Sequence, residues 1–438
     1  MFVLIILQVD SNLTHFKDFH DDVEPAHWLR LESYASAVRE LRVIHDDWYG
    51  LGGFVLLLTA GHFQGRPMLP SLVSLTLDNP GLIPTLPLLL SPTLRTISFC
   101  NNEDDHFGSR MLYPLHKGFM RIISEQAPSL KKLVLPGLLF NRESYNLILN
   151  LRNLHTLIIA TSEIQSGNVP LDIIPSCASL VELKMYFGPN DATSVTPPNL
   201  KFQLLCFQSL RSLGLSASGL SINSILTMFT FIPLESVFIQ LYWSDVQWRT
   251  ITTNVAQWAN TLQRFKFIVR SELMIMPRYS DLEPLLSCHQ MRHLTVEHYP
   301  FPSSPSLCHD DIVEMATAWP ELRELNFHLA TIDVNLSSLI LFTERLPHLR
   351  ELTLPVDLST LPRITKRSRR IGEQLLKLDM NHSSLGKSDP VTVMKHLYNL
   401  FPWAEIDTIY NRPLLPVRKL GRVLDLCRRA CTRAGDFL

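Results

Sequence analysis

The chain has 438 residues, 46% of them hydrophobic and 18% charged, with a formal net charge of −1. That is ample apolar material for a large core, and a pI near 7.0 leaves no global footprint of a nucleic-acid binder. No apolar run reaches the roughly 18 residues that a membrane span needs, so neither a nucleic acid nor a membrane is expected as partner.

The first stretch, Met1-Phe-Val-Leu-Ile-Ile-Leu-Gln-Val9, has no basic flank and no small-residue cleavage site, so it reads as a strand or helix fragment and not as a secretion signal. Trp28 to Leu41 reads as a helix feeding a strand, and residues 1–37 as a lead-in or cap. From Val38 onward one pattern recurs: apolar-x-x-apolar-x-apolar. It starts at Val38, Leu72, Leu94, Leu130, Leu154, Leu180, Leu210, Leu234, Leu262, Met291, Leu322, Leu349 and Leu375. These thirteen copies span 337 residues in twelve intervals, a mean period of about 28, within the range of roughly 20–29 for leucine-rich repeats. A bare length of this size suggests about three domains; the repeat overrides that and predicts one elongated unit over residues 38–410.

Alternation places the second and third apolar residues on one face of a short strand. One such unit cannot bury that face alone, and stacking neighbours makes a continuous core. The period switches toward 3.6 between several strands. Phe119, Ile122 and Ile123 share a helical face, and Ser144 to Leu149 serves the next repeat. Val246, Ile251, Val255, Trp258 and Leu262 predict a longer helix, and Ile312, Val313, Ala316 and Trp319 another, behind Asp310 and Asp311 at its N-terminus. Val391 to Leu400 is the last return helix, opened by Pro390. Phe54 to Leu58 is expected as a buried return and residues 186–207, broken by Gly188-Pro-Asn-Asp and Pro197-Pro-Asn, as an extended one. The predicted fold is α/β, an irregular leucine-rich-repeat solenoid. It is horseshoe-like, in the manner of ribonuclease inhibitor, with parallel strands on the concave face and helices or extended returns on the convex face. Residues 411–438 are expected to form a basic capping helix with Leu420, Val423, Leu424, Cys427 and Cys431 on its buried stripe.

Searching for chemistry gives little. There is no Gly-x-Ser-x-Gly, no His-Glu-x-x-His, no phosphate loop and no dinucleotide fingerprint. His20-Asp21-Asp22, His45-Asp46-Asp47, Asp104-Asp105-His106 and His309-Asp310-Asp311 each offer ligand-type residues, yet they sit in separate repeats and fit turns and helix caps better than a metal site. The seven cysteines are scattered, odd in number and without a Cys-x-x-Cys pair, which predicts free thiols inside the cell, in cytoplasm or nucleus. A run at Arg363, Lys366, Arg367, Arg369 and Arg370 reads as a solvated charged loop. The expectation is therefore a protein without catalytic residues, cofactor or metal.

The concave face remains. The side chains between the inward leucines are expected there as a partner-binding surface: Val134, Pro136, Ile158 and Ala160 with Tyr186 as an apolar centre, then Arg264, Lys266, His293, Glu324, His328 and Glu351 as a polar half. Apolar clusters and tyrosines are favoured contact points.

Ser33-Tyr-Ala-Ser-Ala-Val-Arg-Glu-Leu41, entering a string of irregular repeats, resembles the F-box/leucine-rich-repeat proteins abundant in fungi. The resemblance covers roughly residues 28–410. It implies substrate selection for a Skp1–cullin–F-box ubiquitin ligase. The family's Asn or Cys three residues past the third leucine is present only as Asn102, with Ser162, Ser218 and Ser383 as stand-ins and Leu138, Tyr242 and Ala330 elsewhere, so the ladder tying strands to loops is expected to be patchy. Only 27 residues precede Trp28, fewer than an F-box needs. The lead-in is expected to be a remnant or a misplaced start, and a Skp1-type adaptor is a partner only if the full gene product carries an F-box. The alternative is a free-standing leucine-rich-repeat scaffold or inhibitor.

Overall fold

The structure, a computed structural model, describes residues 3–8, 25–44, 66–77, 86–99, 117–135, 146–161, 177–187, 207, 209–241, 248–270, 278–299, 307–328, 334–362, 374–380, 383 and 388–407. They belong to two compact units, Met1–Ala217 and Ser218–Leu438. Each unit is a leucine-rich-repeat solenoid.

In the first unit eight strands pair in parallel and in sequence order. They are β1 (Val3–Gln8), β2 (Val38–Ile44), β3 (Ser74–Leu77), β4 (Thr96–Phe99), β5 (Lys132–Leu135), β6 (Thr156–Thr161), β7 (Glu182–Phe187) and β8 (Ser212–Ala217). Helix α1 (Pro25–Ala37) runs directly into β2, as Trp28 to Leu41 predicts; α2 (Leu86–Leu89) and α3 (Lys117–Gln126) lie between later strands. The alternation of the sequence becomes alternation of burial. Leu75, Ile97, Leu133, Leu157, Leu183 and Leu213 stand in register on adjacent strands and are fully buried.

The second unit repeats the arrangement with β9 (Ser236–Leu241), β10 (Arg264–Arg270), β11 (His293–Tyr299), β12 (Glu324–His328), β13 (Glu351–Thr353), β14 (Lys377–Asp379) and β15 (Glu405–Asp407), again parallel and in order. The returns here are α4 (Gly219–Met228), α5 (Trp248–Ala256), α6 (Tyr279–Leu282) with a 3-10 turn at Glu283–Ser287, α7 (His309–Ala318), α8 (Leu336–Arg345) and α9 (Pro390–Leu400). Successive returns are tied to one another. Asn254 donates to Asn223 at 3.1 Å, Tyr279 to Glu314 at 2.7 Å, and His309 Nδ1 meets Ser338 Oγ at 2.7 Å. The buried indoles are satisfied: Trp258 donates to the Phe229 carbonyl and Trp319 to that of Leu285.

One backbone arrangement recurs at the start of most strands. The first leucine's N–H closes a turn on a carbonyl three residues back, as in Leu349 to Leu346 at 3.1 Å. The carbonyl of the residue after that leucine then accepts two N–H groups from the next repeat. Arg323 O takes Arg350 N at 2.8 Å and Glu351 N at 3.1 Å, and Lys131 O takes those of His155 and Thr156. Side chains in the turn add a second tie. Thr93, Ser179 and Thr261 donate their hydroxyls to the carbonyls of Leu72, Leu154 and Leu234, the first leucines of the preceding repeats. Such side-chain bonds fix a turn that has no ladder of its own.

The structure corrects several expectations. Two further strands, β1 and β15, join the thirteen that the pattern predicts. The β15 repeat is one residue short, Ala404-x-Ile406 in place of Leu-x-x-Leu, with Ala404 N closing on Phe401 O as Leu349 closes on Leu346. Helix α5 stops at Ala256, so Trp258 and Leu262 are buried beyond its end and not on it. On α7 the buried face is Ile312, Met315 and Ala316, with Val313 only half-buried; on α9 it is Val393, Met394, Leu397 and Leu400, with Val391 exposed. The expected returns at Phe54–Leu58 and beyond Phe187, and the C-terminal capping helix, lie outside the described residues.

Leu213→Asp places an unpaired charge at a fully buried site and should destabilise the first unit by more than the ~2–5 kcal/mol of a leucine-to-alanine cavity, read from chemical unfolding. Thr261→Ala should cost about 1 kcal/mol through the lost tie to Leu234, and Thr261→Ser should restore it in the same measurement.

Candidate functional site

The open face of each sheet carries the side chains that alternate with the buried ones. In the second unit the first open row runs Ser236, Arg264, His293, Glu324, Glu351, Lys377, Glu405 across seven adjacent strands. Four of the residues predicted from sequence, Arg264, His293, Glu324 and Glu351, are thus consecutive neighbours. His293 Nδ1 lies 2.9 Å from Glu324 Oε2. The second row holds Phe238, Lys266, Thr295 and Asn326; Lys266 reaches diagonally to Glu297 of the third row at 3.1 Å. Farther along, Thr353 and Asp379 are buried, as are Gln240 and Ile268 in the third row, so the accessible part of the face is the first row and the middle of the second. His328 holds a third-row register position beside Glu297.

Arg264, Glu351 and Lys377 have neither an ion pair nor a side-chain hydrogen bond among the described residues. The pair of Lys266 with the half-buried Glu297 is still open to solvent on the lysine side, and such pairs contribute on the order of 1 kcal/mol. Folding therefore gains little from these charges, which the paired strands present on the open face.

In the first unit Val134 and Ile158 face each other across β5 and β6, and both are half-buried. Ala160 is the register partner of Tyr186, itself half-buried, on β7; Pro136 lies outside the described residues. The apolar centre is narrower than the sequence implies, because Lys184 stands beside Ile158. Lys184 bonds Glu182 at 2.8 Å, and Glu182 also accepts from Thr156. The stem of Lys184 lies over Gly214: a Cβ there would come within 2.6 Å of Lys184 Cγ, which explains a glycine inside a strand.

The residues that sequence reasoning passed over are Lys377 and Glu405 of the open row, and Lys184. Lys377 sits at the same offset from its leucines as Glu351, so the repeat itself points to it; Glu405 is hidden by the shortened repeat. Of the four His/Asp clusters, only His309-Asp310-Asp311 is described. Asp311 accepts the Cys308 N–H at 2.8 Å at the helix start while His309 bonds Ser338, so these side chains cap and stitch. Among the described residues no three His, Cys, Asp or Glu converge as metal ligands, and no helix is long and apolar enough to cross a membrane. The remaining clusters and the basic run at 363–370 lie outside the described residues.

No protein-family model matches the chain, and no curated protein matches its sequence. Among solved structures it is similar to a plant peptide hormone receptor, RGFR1, in complex with RGF2, at 15% identity over 89% of this chain and 67% of that one, with a TM-score of 0.32. The fold stands on the strand register and burial described above.

The thiols offer a chemical check. Burial pushes Cys177 and Cys288 up to about 11, while Cys308 is exposed. Neither buried thiol is ionised near neutrality, and neither is a nucleophile there. Iodoacetamide at pH 8 followed by peptide mapping should label Cys308 in the native chain, and Cys177 and Cys288 only after denaturation.

Proposed function

We propose that the chain is a protein-recognition module without catalytic activity, whose partner lies across the open face of the repeat sheet. The observation that carries this is the unbroken row Arg264, His293, Glu324, Glu351 and Lys377 on five adjacent strands, where two cations and a carboxylate stand without partners among the described residues. Seven strands at about 4.8 Å make a row roughly 30 Å long, the reach of about nine extended residues. A backbone already fixed in this form loses little entropy on binding. Tyr186, with Val134 and Ile158, is the corresponding contact in the first unit.

The finer reading follows the F-box/leucine-rich-repeat resemblance: the substrate-binding part of a Skp1–cullin–F-box ubiquitin ligase subunit, working inside the cell. A free-standing scaffold or inhibitor is the alternative. Co-purification with the Skp1 adaptor separates the two. Retention, by this chain or by a form with upstream coding sequence restored, supports the ligase subunit, and no retention in either form leaves the scaffold. For a partner so obtained, Arg264→Glu combined with Glu351→Arg should weaken affinity about tenfold or more with an unchanged melting temperature, and so should Tyr186→Ala if the first unit shares the contact. Unchanged affinity in the charge-reversed variant overturns the open-face assignment.

A further inference from the structure

The strand-entry edge of the second unit carries a separate surface. The residues after the first leucines of β11, β12 and β13 are Arg292, Arg323 and Arg350. Their carbonyls are bound by the next repeat, but their guanidinium groups have no hydrogen bond or ion pair among the described residues. Arg350 is exposed and the other two half-exposed. Three like charges on neighbouring strands about 4.8 Å apart repel one another, and among the described residues none of the three is paired with a carboxylate. Glu321 and Glu351 flank the row and leave it net positive. The same place on β14 is Leu376, 54% exposed, and the turn entering β15 adds Trp403, 72% exposed. Large apolar side chains this open stand out beside a core whose leucines are nearly all fully buried.

We propose that this edge, from Arg292 through Arg323, Arg350 and Leu376 to Trp403, binds a linear acidic peptide segment that ends in an apolar side chain. The inference rests on the reading of the chain as a recognition module and names the chemistry of a partner. Guanidinium groups in a line match carboxylates of an extended chain, while Leu376 and Trp403 offer the apolar end; Arg and Trp are the side chains that dominate such contacts. A nucleic acid fits less well. One tryptophan gives a single stacking platform where a strand of bases needs several. The chain's own C-terminal stretch is not the occupant, since its six basic residues between Arg418 and Arg433 carry the wrong sign.

The test is fluorescence anisotropy with the full chain and a fluorescein-labelled peptide of alternating Asp and Gly ending in Leu-Phe. Saturable binding is expected. It should weaken about tenfold or more in Arg323→Glu with Arg350→Glu, and similarly in Trp403→Ala. It should disappear when Asn replaces Asp in the peptide. Melting by circular dichroism verifies folding; if the double variant melts early, Arg350→Ala alone, at an exposed site, takes its place. No saturable binding, an affinity indifferent to these substitutions, or a labelled oligothymidylate that binds more tightly at the same ionic strength overturns the proposal. If the edge fails while Arg264 and Glu351 still govern partner affinity, the edge alone is wrong and the open-face reading survives.

Discussion

The structure depends on one shared acceptor. At the entry of most strands a single carbonyl, such as that of Arg323, receives two N–H groups from the following repeat. These two bonds, which use both lone pairs of one carbonyl, start the parallel pairing at a defined residue. A slip by one residue turns every side chain to the opposite face, so a fixed starting point decides that Leu325 and Leu352 go inward and Glu324 and Glu351 outward. Core and candidate binding row are two results of the same hydrogen bonds.

The balance of forces is unequal along each repeat. Three inward apolar residues, each worth roughly 1.5–3 kcal/mol when buried, offset the entropy of ordering the strand and its return. The exposed charges of the first open row take little part in that balance. Lys184 lying over Gly214 is one place where an open-face side chain is itself packed, and Gln240, Ile268, Thr353 and Asp379 are buried there too. The returns of the second unit are joined by side-chain hydrogen bonds such as Asn254–Asn223 and Tyr279–Glu314, where buried helix faces alone leave polar groups to satisfy.

How much of this was legible in the sequence follows from the same asymmetry. The buried leucines recur at fixed offsets and reveal thirteen strands and their faces, and with them the neighbours Arg264, His293, Glu324 and Glu351. β15 escaped because Ala404 is small and one residue is missing from its pattern, and β1 because nothing in Met1–Val9 separates a strand from a helix by periodicity. Val313 and Met315 exchanged roles because both are apolar and only packing tells them apart. Asn stands at the family's ladder position only as Asn102, so the sequence predicts a patchy ladder. At three repeats Thr93, Ser179 and Thr261 tie the turn to the preceding repeat, a signal visible as the Ser or Thr that precedes the first leucine in several repeats but silent until the carbonyl it reaches is known.

The shared carbonyl belongs to the main chain, and the contact asks nothing of the side chain that bears it; Val73, Lys131, His155 and Arg323 all serve. Nor does it ask anything of the length of the return, which is why intervals of 22 and 36 residues coexist. Genetic change can therefore act on this protein by whole modules. A duplicated or deleted repeat rejoins its neighbours through the same backbone groups, and unequal exchange between copies of the gene yields chains that still fold, with a longer or shorter row of outward residues for selection to test.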